Sequence, residues 1–298
     1  MGGTEPIWWM RMREGADGPD YGPSIWATGE VALVGLAWSL DDVARTVDGV
    51  DEADLLRVTG GETWKGRITT FLNQVRVGHW ILFANNATRE IACGRVAPGY
   101  HNRCRGPGDH WWTRPLAETK SFPLDDLPAV YRLLTHTGRA SIQQMSSFRS
   151  QAELLVHHRT VGEVCDAVVR MSDSEFLDWL PPSAWEALCM EHLRDAIGLR
   201  LLALRLGSTL KDDDIVGVNS AFDRVVVQCK NSSDPYPIAE VDAWACLHPT
   251  IPQARKYFAC RGGFEGDLGS AKCRLIDRTT ITTWLRSVPE YSRALRVL

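Results

Sequence analysis

The sequence predicts a mixed α/β protein of two domains, a small β-barrel followed by an α/β sandwich. Three observations lead to this prediction. The chain has 298 residues, a length that suggests two domains with separate cores. Its first half consists mainly of short apolar strands separated by turns. Its last third alternates helical and strand patterns in the order α-β-β-β-α-β-α.

Composition is that of an ordinary globular protein, with 44% hydrophobic and 23% charged residues. No apolar run is long enough to span a membrane, and the N-terminus lacks the basic and apolar regions of a secretory signal. We therefore expect a cytoplasmic protein with no membrane partner. The 8 Cys residues include no Cys-x-x-Cys pair, which favours reduced packing thiols over a structural zinc site.

Residues 1–145 form the predicted β domain. A helical pattern covers 63–75, a Gly/Pro/Arg loop covers 98–109, and a short helix or turn follows at 124–135. Asn85 and Asn86 are turn residues, so the flanking segments are expected to form a hairpin. The predicted strands cover residues 7–11, 31–38, 79–83, 90–96 and 111–114.

Residues 146–180 are a predicted helical linker, and residues 181–298 form the second domain. A long helix is expected to begin at Ser183, because Ser at the N-cap with Glu186 three residues later is the spacing of a capping box. Gly198 is its predicted C-terminal stop. The elements that follow are strands at 199–206, 214–219 and 225–230, a helix at 237–247, strands at 256–260 and 275–276, and a helix at 280–285.

The predicted strands 214–219 and 225–230 contain three polar residues of interest, Asp214, Gln228 and Lys230. If a symmetric hairpin joins these strands, Asp214 lies opposite Gln228, and directly opposed side chains share a face of the sheet. Lys230 follows Gln228 by two residues and points to that same face. The sequence therefore predicts that a carboxylate, an amide and an ammonium group converge.

This combination suits metal-assisted hydrolysis of a phosphodiester. Mg²⁺ prefers oxygen ligands and takes one or two carboxylates from a protein. Asp214 offers a carboxylate, while the Gln228 side chain and the Cys229 carbonyl offer neutral oxygens. Lys230 can orient a water molecule or stabilise developing phosphorane charge. Glu186, on the preceding helix, can reach the metal through water.

Residues 181–298 resemble the Mrr-type restriction endonuclease domain, a branch of the PD-(D/E)xK nuclease fold that uses Gln-x-Lys in place of Glu-x-Lys. The resemblance implies that Asp214, Gln228 and Lys230 are catalytic and that Glu186 is the helical acid. It also implies a prokaryotic enzyme that uses Mg²⁺ or Mn²⁺. The chain has three consecutive acids where the family has a Gly-rich stretch, so Asp212 is the alternative acid. The residues that carry the resemblance are Trp185-Glu186-Ala-Leu-Cys, Gly198, Asp214-Ile-Val-Gly-Val and Val227-Gln-Cys-Lys230.

Residues 6–145 loosely resemble the EVE/PUA-like domains that precede some Mrr-type nucleases and read a modified base flipped out of DNA. A flipped base needs an aromatic pocket with a few polar groups. The candidates are Trp38, Phe83, Asn85 and Tyr100, and the alternative for each is a place in the core. The resemblance rests on Ile7-Trp-Trp-Met-Arg11, Val34-Gly-Leu-Ala-Trp38, Val77-Gly-His-Trp-Ile-Leu-Phe83, Ile91-Ala-Cys-Gly-Arg-Val96, Tyr100 and Trp112-Thr-Arg114.

The net charge of −4 argues against a nucleic-acid partner, but basic residues cluster locally. One stretch covers residues 89–114 and another covers 272–296. Arg103, Arg105 and Arg114 are the predicted contacts to the DNA backbone. The alternative is that each stretch is simply a solvated surface.

These features predict a modification-dependent restriction endonuclease that binds modified double-stranded DNA. Cutting both strands requires two active sites, so we expect a homodimer or a DNA-induced dimer. One alternative is a reader of modified nucleic acid that does not cut. Another is a defence nuclease whose N-terminal domain senses a nucleotide signal or a partner protein.

Overall fold

The computed structural model describes residues 5–11, 25–36, 45–46, 49–50, 70–85, 88–99, 101–106, 109–134, 142–204 and 213–297. The chain divides into two compact units, with the boundary between Asp166 and Ala167. This boundary lies inside the predicted linker 146–180. In the described ranges, no helix is both long and apolar enough to cross a membrane.

The N-terminal unit is built around a mainly antiparallel sheet. In its described part, seven strands follow the order β2-β8-β6-β5-β1-β9, with β7 paired to β8. Strands β1 and β5 are parallel, whereas β5, β6 and β8 form an antiparallel meander. The strands, with a separate β3–β4 pair, are β1 Ile7–Met10, β2 Glu30–Leu36, β3 Arg45–Thr46, β4 Gly49–Val50, β5 Trp80–Asn85, β6 Glu90–Val96, β7 His101–Gly106, β8 Asp109–Pro123 and β9 Ile142–Gln144.

The hairpin expected around Asn85 is confirmed, because Asn85 pairs with Glu90 at the start of β6. The loop predicted at 98–109 is wrong, because β7 occupies residues 101–106 and pairs with β8. Backbone pairing with a long neighbouring strand needs no apolar pattern, so Gly, Pro and Arg did not prevent it. Of the helix predicted at 63–75, the described part is a π-helical turn at Thr70–Gln74.

Short helices follow the sheet: α1 covers Val130–Leu134, α2 covers Arg149–His157 and α3 covers Val161–Arg170. The ammonium group of Lys120 donates to the carbonyls of Val156 at 2.7 Å and His158 at 2.6 Å. A cation here satisfies carbonyls that the end of α2 leaves without intrahelical partners.

In the C-terminal unit, helix α4 covers Asp173–Trp179 and begins with a capping box between Ser172 and Glu175. Helix α5 covers Pro182–Ile197 and begins one residue before the predicted N-cap. The capping box expected at Ser183 is wrong, because Pro182 occupies the first helical position, where its fixed φ is favourable and its missing N–H costs nothing. The stop at Gly198 is confirmed by its left-handed φ of 63°.

The second sheet has the order β10-β11-β12-β14-β16 in the described residues. Strands β10, β11 and β12 are antiparallel, whereas β12, β14 and β16 are parallel. The helices and strands predicted from the sequence follow in the expected succession, except that two strands of this sheet, β14 and β16, lie between α6 and α7. The elements are β10 Arg200–Leu204, β11 Ile215–Val218, β12 Arg224–Lys230, β13 Tyr236–Pro237, α6 Ile238–Cys246, β14 Lys256–Cys260, β15 Phe264–Glu265, β16 Arg274–Asp277, α7 Arg278–Ser287 and α8 Pro289–Val297.

Helices cover both faces of β12. Val226 of β12 packs with Val241 and Trp244 of α6. Cys229, three residues further along the strand, points to the opposite face, where its thiol interacts with Cys189 of α5. Asp214 and Lys230 lie at the open end of the β11–β12 hairpin.

Candidate active site

The β11–β12 hairpin has the register that the sequence predicts. Ile215 pairs with Val227, and Val218 pairs with Arg224, so the paired residues end one position before Asp214 and Gln228, whose side chains are in contact. The backbone N–H of Asp214 donates to the Val227 carbonyl at 2.9 Å. The hairpin therefore brings the predicted carboxylate and amide together.

The Asp214 carboxylate is buried and bonded to β12 through one oxygen. Its Oδ2 accepts from the Cys229 backbone N–H at 2.7 Å and from Nε2 of Gln228 in a short contact. Burial raises the pKa of Asp214 above its usual value, and the charge of Asp213 acts in the same direction. The Cys229 N–H, the Lys230 ammonium and the Gln228 amide oppose that shift by stabilising the ionised form.

The Gln228 side chain is buried and carries an acceptor oxygen, Oε1. Its Oε1 has no hydrogen-bond partner among the described residues, and the side chain is 3% exposed. Leaving a buried acceptor unsatisfied costs about 1–3 kcal/mol. Its Nε2 also approaches the Cys229 carbonyl at 3.5 Å. Gln228 and Cys229 thus place neutral oxygens beside the Asp214 carboxylate.

This oxygen set fits a divalent cation such as Mg²⁺, which accepts carboxylate, amide and carbonyl ligands. In the described part of the chain, no group of three His, Cys, Asp or Glu side chains is arranged to hold a metal. A cation here would therefore depend on Asp214 and neutral oxygens, with its remaining positions filled from outside the protein.

Glu186 lies on the buried side of α5, with 9% of its surface exposed. The Cys189 thiol and burial raise the pKa of Cys229 well above its usual value, and the charges of Asp214 and Glu186 raise it further. The charges of both carboxylates therefore act on one thiol of β12.

Lys230 is the last residue of β12 and is partly exposed. Its positive charge lowers the pKa of the buried Asp214, which agrees with the predicted convergence of the two side chains. The structure thus brings Asp214, Gln228 and Lys230 together at the open end of the hairpin.

One neighbouring pair was not predicted from the sequence. Nε2 of His248 lies at ion-pair distance, 2.9 Å, from Oδ1 of Asp213, and a hydrogen bond from the Trp244 side chain lowers the pKa of that carboxyl. His248 follows α6 in the chain and lies beside Asp213, which precedes β11. The only sequence signal for this pair was the run of three acids at 212–214, and that run does not reveal which of the acids pairs with a histidine. The alternative acid, Asp212, lies outside the described residues.

The structure describes two of the four candidates for a base pocket in the N-terminal unit. Phe83 is 1% exposed and packs against Trp26 with ring centroids 5.0 Å apart. Asn85 is buried, and its Oδ1 accepts from the Thr88 N–H at 3.2 Å. Trp38 and Tyr100 lie outside the described residues.

Arg114 does not lie at a surface that DNA can reach. Its side chain is fully buried, and Nη1 donates to the Val75 carbonyl in a short contact. The predicted contact to the DNA backbone is therefore wrong for Arg114, whose side chain lies in the core. Arg103 and Arg105 are in β7, and their side chains lie outside what the structure describes.

No protein-family model matches the chain. No curated protein matches it either. Among solved structures, the DNA modification-dependent restriction endonuclease AspBHI is similar over 90% of this chain and 78% of that chain. The sequence identity is 13% and the TM-score is 0.32, so this similarity establishes neither a shared fold nor a shared function.

Proposed function

We propose that the protein is a Mg²⁺-dependent, modification-dependent restriction endonuclease that hydrolyses phosphodiester bonds in DNA. The observation that carries the proposal is the contact between Asp214 and Gln228 across the β11–β12 hairpin, with the Lys230 charge acting on the same carboxylate. Such hydrolysis needs oxygen ligands for a cation and a positive group that stabilises charge. Asp214 and Gln228 offer the oxygens, and Lys230 offers the positive group.

Each residue has a proposed role. Asp214, Oε1 of Gln228 and the Cys229 carbonyl would hold the cation, which when bound supplies positive charge for the phosphate oxygens. Lys230 orients the attacking water and stabilises charge that develops on the phosphorus centre. Glu186 hydrogen-bonds water at the inner side of the site.

The proposed role of the N-terminal unit is to recognise the modified base. We also propose that this unit is an EVE/PUA-like β-barrel domain. Phe83 and Asn85 would then support the pocket from behind, because both are buried. A homodimer or a DNA-induced dimer would supply the second active site for a double-strand cut.

The test uses plasmids of one sequence that carry unmodified cytosine, different modified cytosines or phosphorothioate linkages. Each plasmid is incubated with Mg²⁺, Mn²⁺ or EDTA. We expect metal-dependent cutting of one modified plasmid. Lys230→Met should reduce the rate by about a hundredfold or more, the loss typical of removing a group that stabilises the transition state.

Two further variants make the result specific. Asp214→Asn keeps an oxygen that can accept from Cys229 and Gln228 but removes the charge, so it should fold normally and not cut. Arg170→Met removes an exposed cation from α3 in the same unit, outside both basic stretches, and should cut like the wild type. Tight binding of modified DNA with no cutting in either metal would instead identify a reader, and cutting of unmodified DNA only after a small molecule is added would identify a signal-activated nuclease.

A further inference from the structure

The C-terminal end of α4 is bound by one arginine side chain. Nη1 of Arg261 lies 3.1 Å from the Leu177 carbonyl and 3.2 Å from the carbonyls of Asp178 and Leu180. These are carbonyls that the end of a helix leaves without intrahelical donors, and a cation there is favoured by the helix dipole. Arg261 therefore fixes the position of this helix end.

Two of the acids of α4, Asp173 and Asp178, are also paired with arginines. Asp178 accepts from Arg278 in a short contact, and Asp173 accepts from Arg286 at 3.0 Å and Arg296 at 2.9 Å. Three arginines of the stretch 272–296 are thus engaged with α4. Together with Arg261, these three arginines form a clamp around α4 that consists of Arg261, Arg278, Arg286 and Arg296.

Arg261 differs from the other clamp residues because its backbone reaches the candidate active site. Its N–H donates to the Lys230 carbonyl at 3.2 Å, and it follows Cys260, which pairs with Lys230 across β12 and β14. The next residue, Gly262, donates to the Ser232 carbonyl at 2.8 Å. One residue thus connects the end of α4 to the end of the strand that carries Lys230.

The loop that contains Arg261 has little freedom to move. A Cβ at Gly262 would lie 2.3 Å from the Asp234 carbonyl oxygen, so the backbone is packed closely against residues 232–234. The Arg261 side chain is 11% exposed, and burial lowers its pKa. A displacement of α4 would therefore be transmitted to this loop and to Lys230.

We propose that Arg261 is a positioning residue that couples α4 to Lys230, so that the cleavage rate depends on the Arg261 side chain being bound at the end of α4. This inference rests on the proposed nuclease function and concerns the regulation of that site. By chain connectivity, α4 follows α3, the helix in which the boundary between the two units falls. A change in the segment that leads out of the N-terminal unit would thereby reach the catalytic lysine.

The test compares Arg261→Ala with Arg278→Ala. Arg278 also binds α4, through Asp178 and through Ser174 at 3.0 Å, but its described hydrogen bonds do not include the Lys230 end of β12. We expect Arg261→Ala to lower kcat about tenfold to a hundredfold with KM for modified DNA nearly unchanged, because a misplaced catalytic group costs rate. Arg278→Ala should keep kcat, and Arg261→Lys should recover part of it.

Hydrogen exchange provides a readout that does not need cleavage. The backbone amides of residues 229–231 should exchange faster in Arg261→Ala than in Arg278→Ala or the wild type. Equal rates of cleavage and equal exchange in the two alanine variants would overturn the inference while leaving the nuclease intact. If the wild type does not cut at all, the proposed function fails, and the exchange comparison alone decides whether Arg261 couples α4 to Lys230.

Discussion

His79 in the N-terminal unit is held in its neutral form by two hydrogen-bond donors. Its Nδ1 accepts from the Trp8 indole at 3.1 Å and from the Arg76 N–H at 3.0 Å. The proton of the neutral ring must therefore be on Nε2. Burial lowers the pKa of His79, and the Arg114 charge lowers it further. We predict that acidification destabilises the protein through this residue.

The sign and size of the effect follow from these contacts. Protonation of Nδ1 removes both acceptor interactions, worth about 1 kcal/mol each. Because the ring is partly exposed, water recovers part of that loss, and we expect about 1 kcal/mol. The folded-state pKa lies below the ordinary value of 6.5, so the unfolded chain binds the proton first. The contribution is complete above 6.5 and is lost as the pH falls through the folded-state pKa.

The measurement is urea unfolding of the wild type and His79→Asn at two pH values, about one unit above and one unit below the ordinary histidine pKa. The Asn Oδ1 can accept both hydrogen bonds but does not titrate. The wild type should lose more free energy of unfolding on acidification than the variant does. Nitrogen NMR shifts should show a proton on Nε2 at neutral pH. Equal losses in the two proteins, or a proton on Nδ1, would refute the reasoning.

Other predictions concern stability and reactivity. Gly262→Ala forces a backbone shift, because the new Cβ would meet the Asp234 carbonyl, and should lower the free energy of unfolding by about 1–3 kcal/mol in thermal or urea unfolding. Gly198→Ala strains a left-handed helix end and should cost about 1 kcal/mol in the same assay. Lys120→Met leaves the end of α2 without its ammonium donor and should cost about 2 kcal/mol, with faster amide exchange at that end. Cys246→Ser should remove one rapidly labelled thiol, whereas Cys93, whose pKa burial raises to about 12, should stay unlabelled until unfolding.

The local patterns of the sequence predicted most of the C-terminal unit, because the helix and strand periodicities there agree with the fold, whereas the capping box expected at Ser183 does not. The hairpin register followed from period-two alternation and a short turn, in which the Asn219 side chain accepts from the N–H groups of Ala221 and Asp223. Gly198 was identified because few other residues adopt its backbone conformation cheaply. Those features need only local information.

The features that were missed depend on tertiary contacts. The burial of Arg114 depends on a carbonyl at Val75, far away in the sequence, and a basic residue in a strand otherwise suggests solvent. The clamp around α4 joins residues about a hundred positions apart, so a count of charges could only suggest a basic patch. The partnership of Asp213 with His248 likewise requires that α6 return to the sheet.

The Gln at position 228 is explained by the electrostatics of the site. Burial and the neighbouring Asp213 already oppose ionisation of Asp214. A second carboxylate directly across the hairpin would add repulsion, because two close acids cannot both ionise cheaply. Gln228 instead donates to Asp214 and retains an acceptor oxygen that has no partner in the described structure. Asp214 can then remain ionised in a buried place, but the protein offers a cation little negative charge, so tight metal binding should require the charge of a bound phosphate.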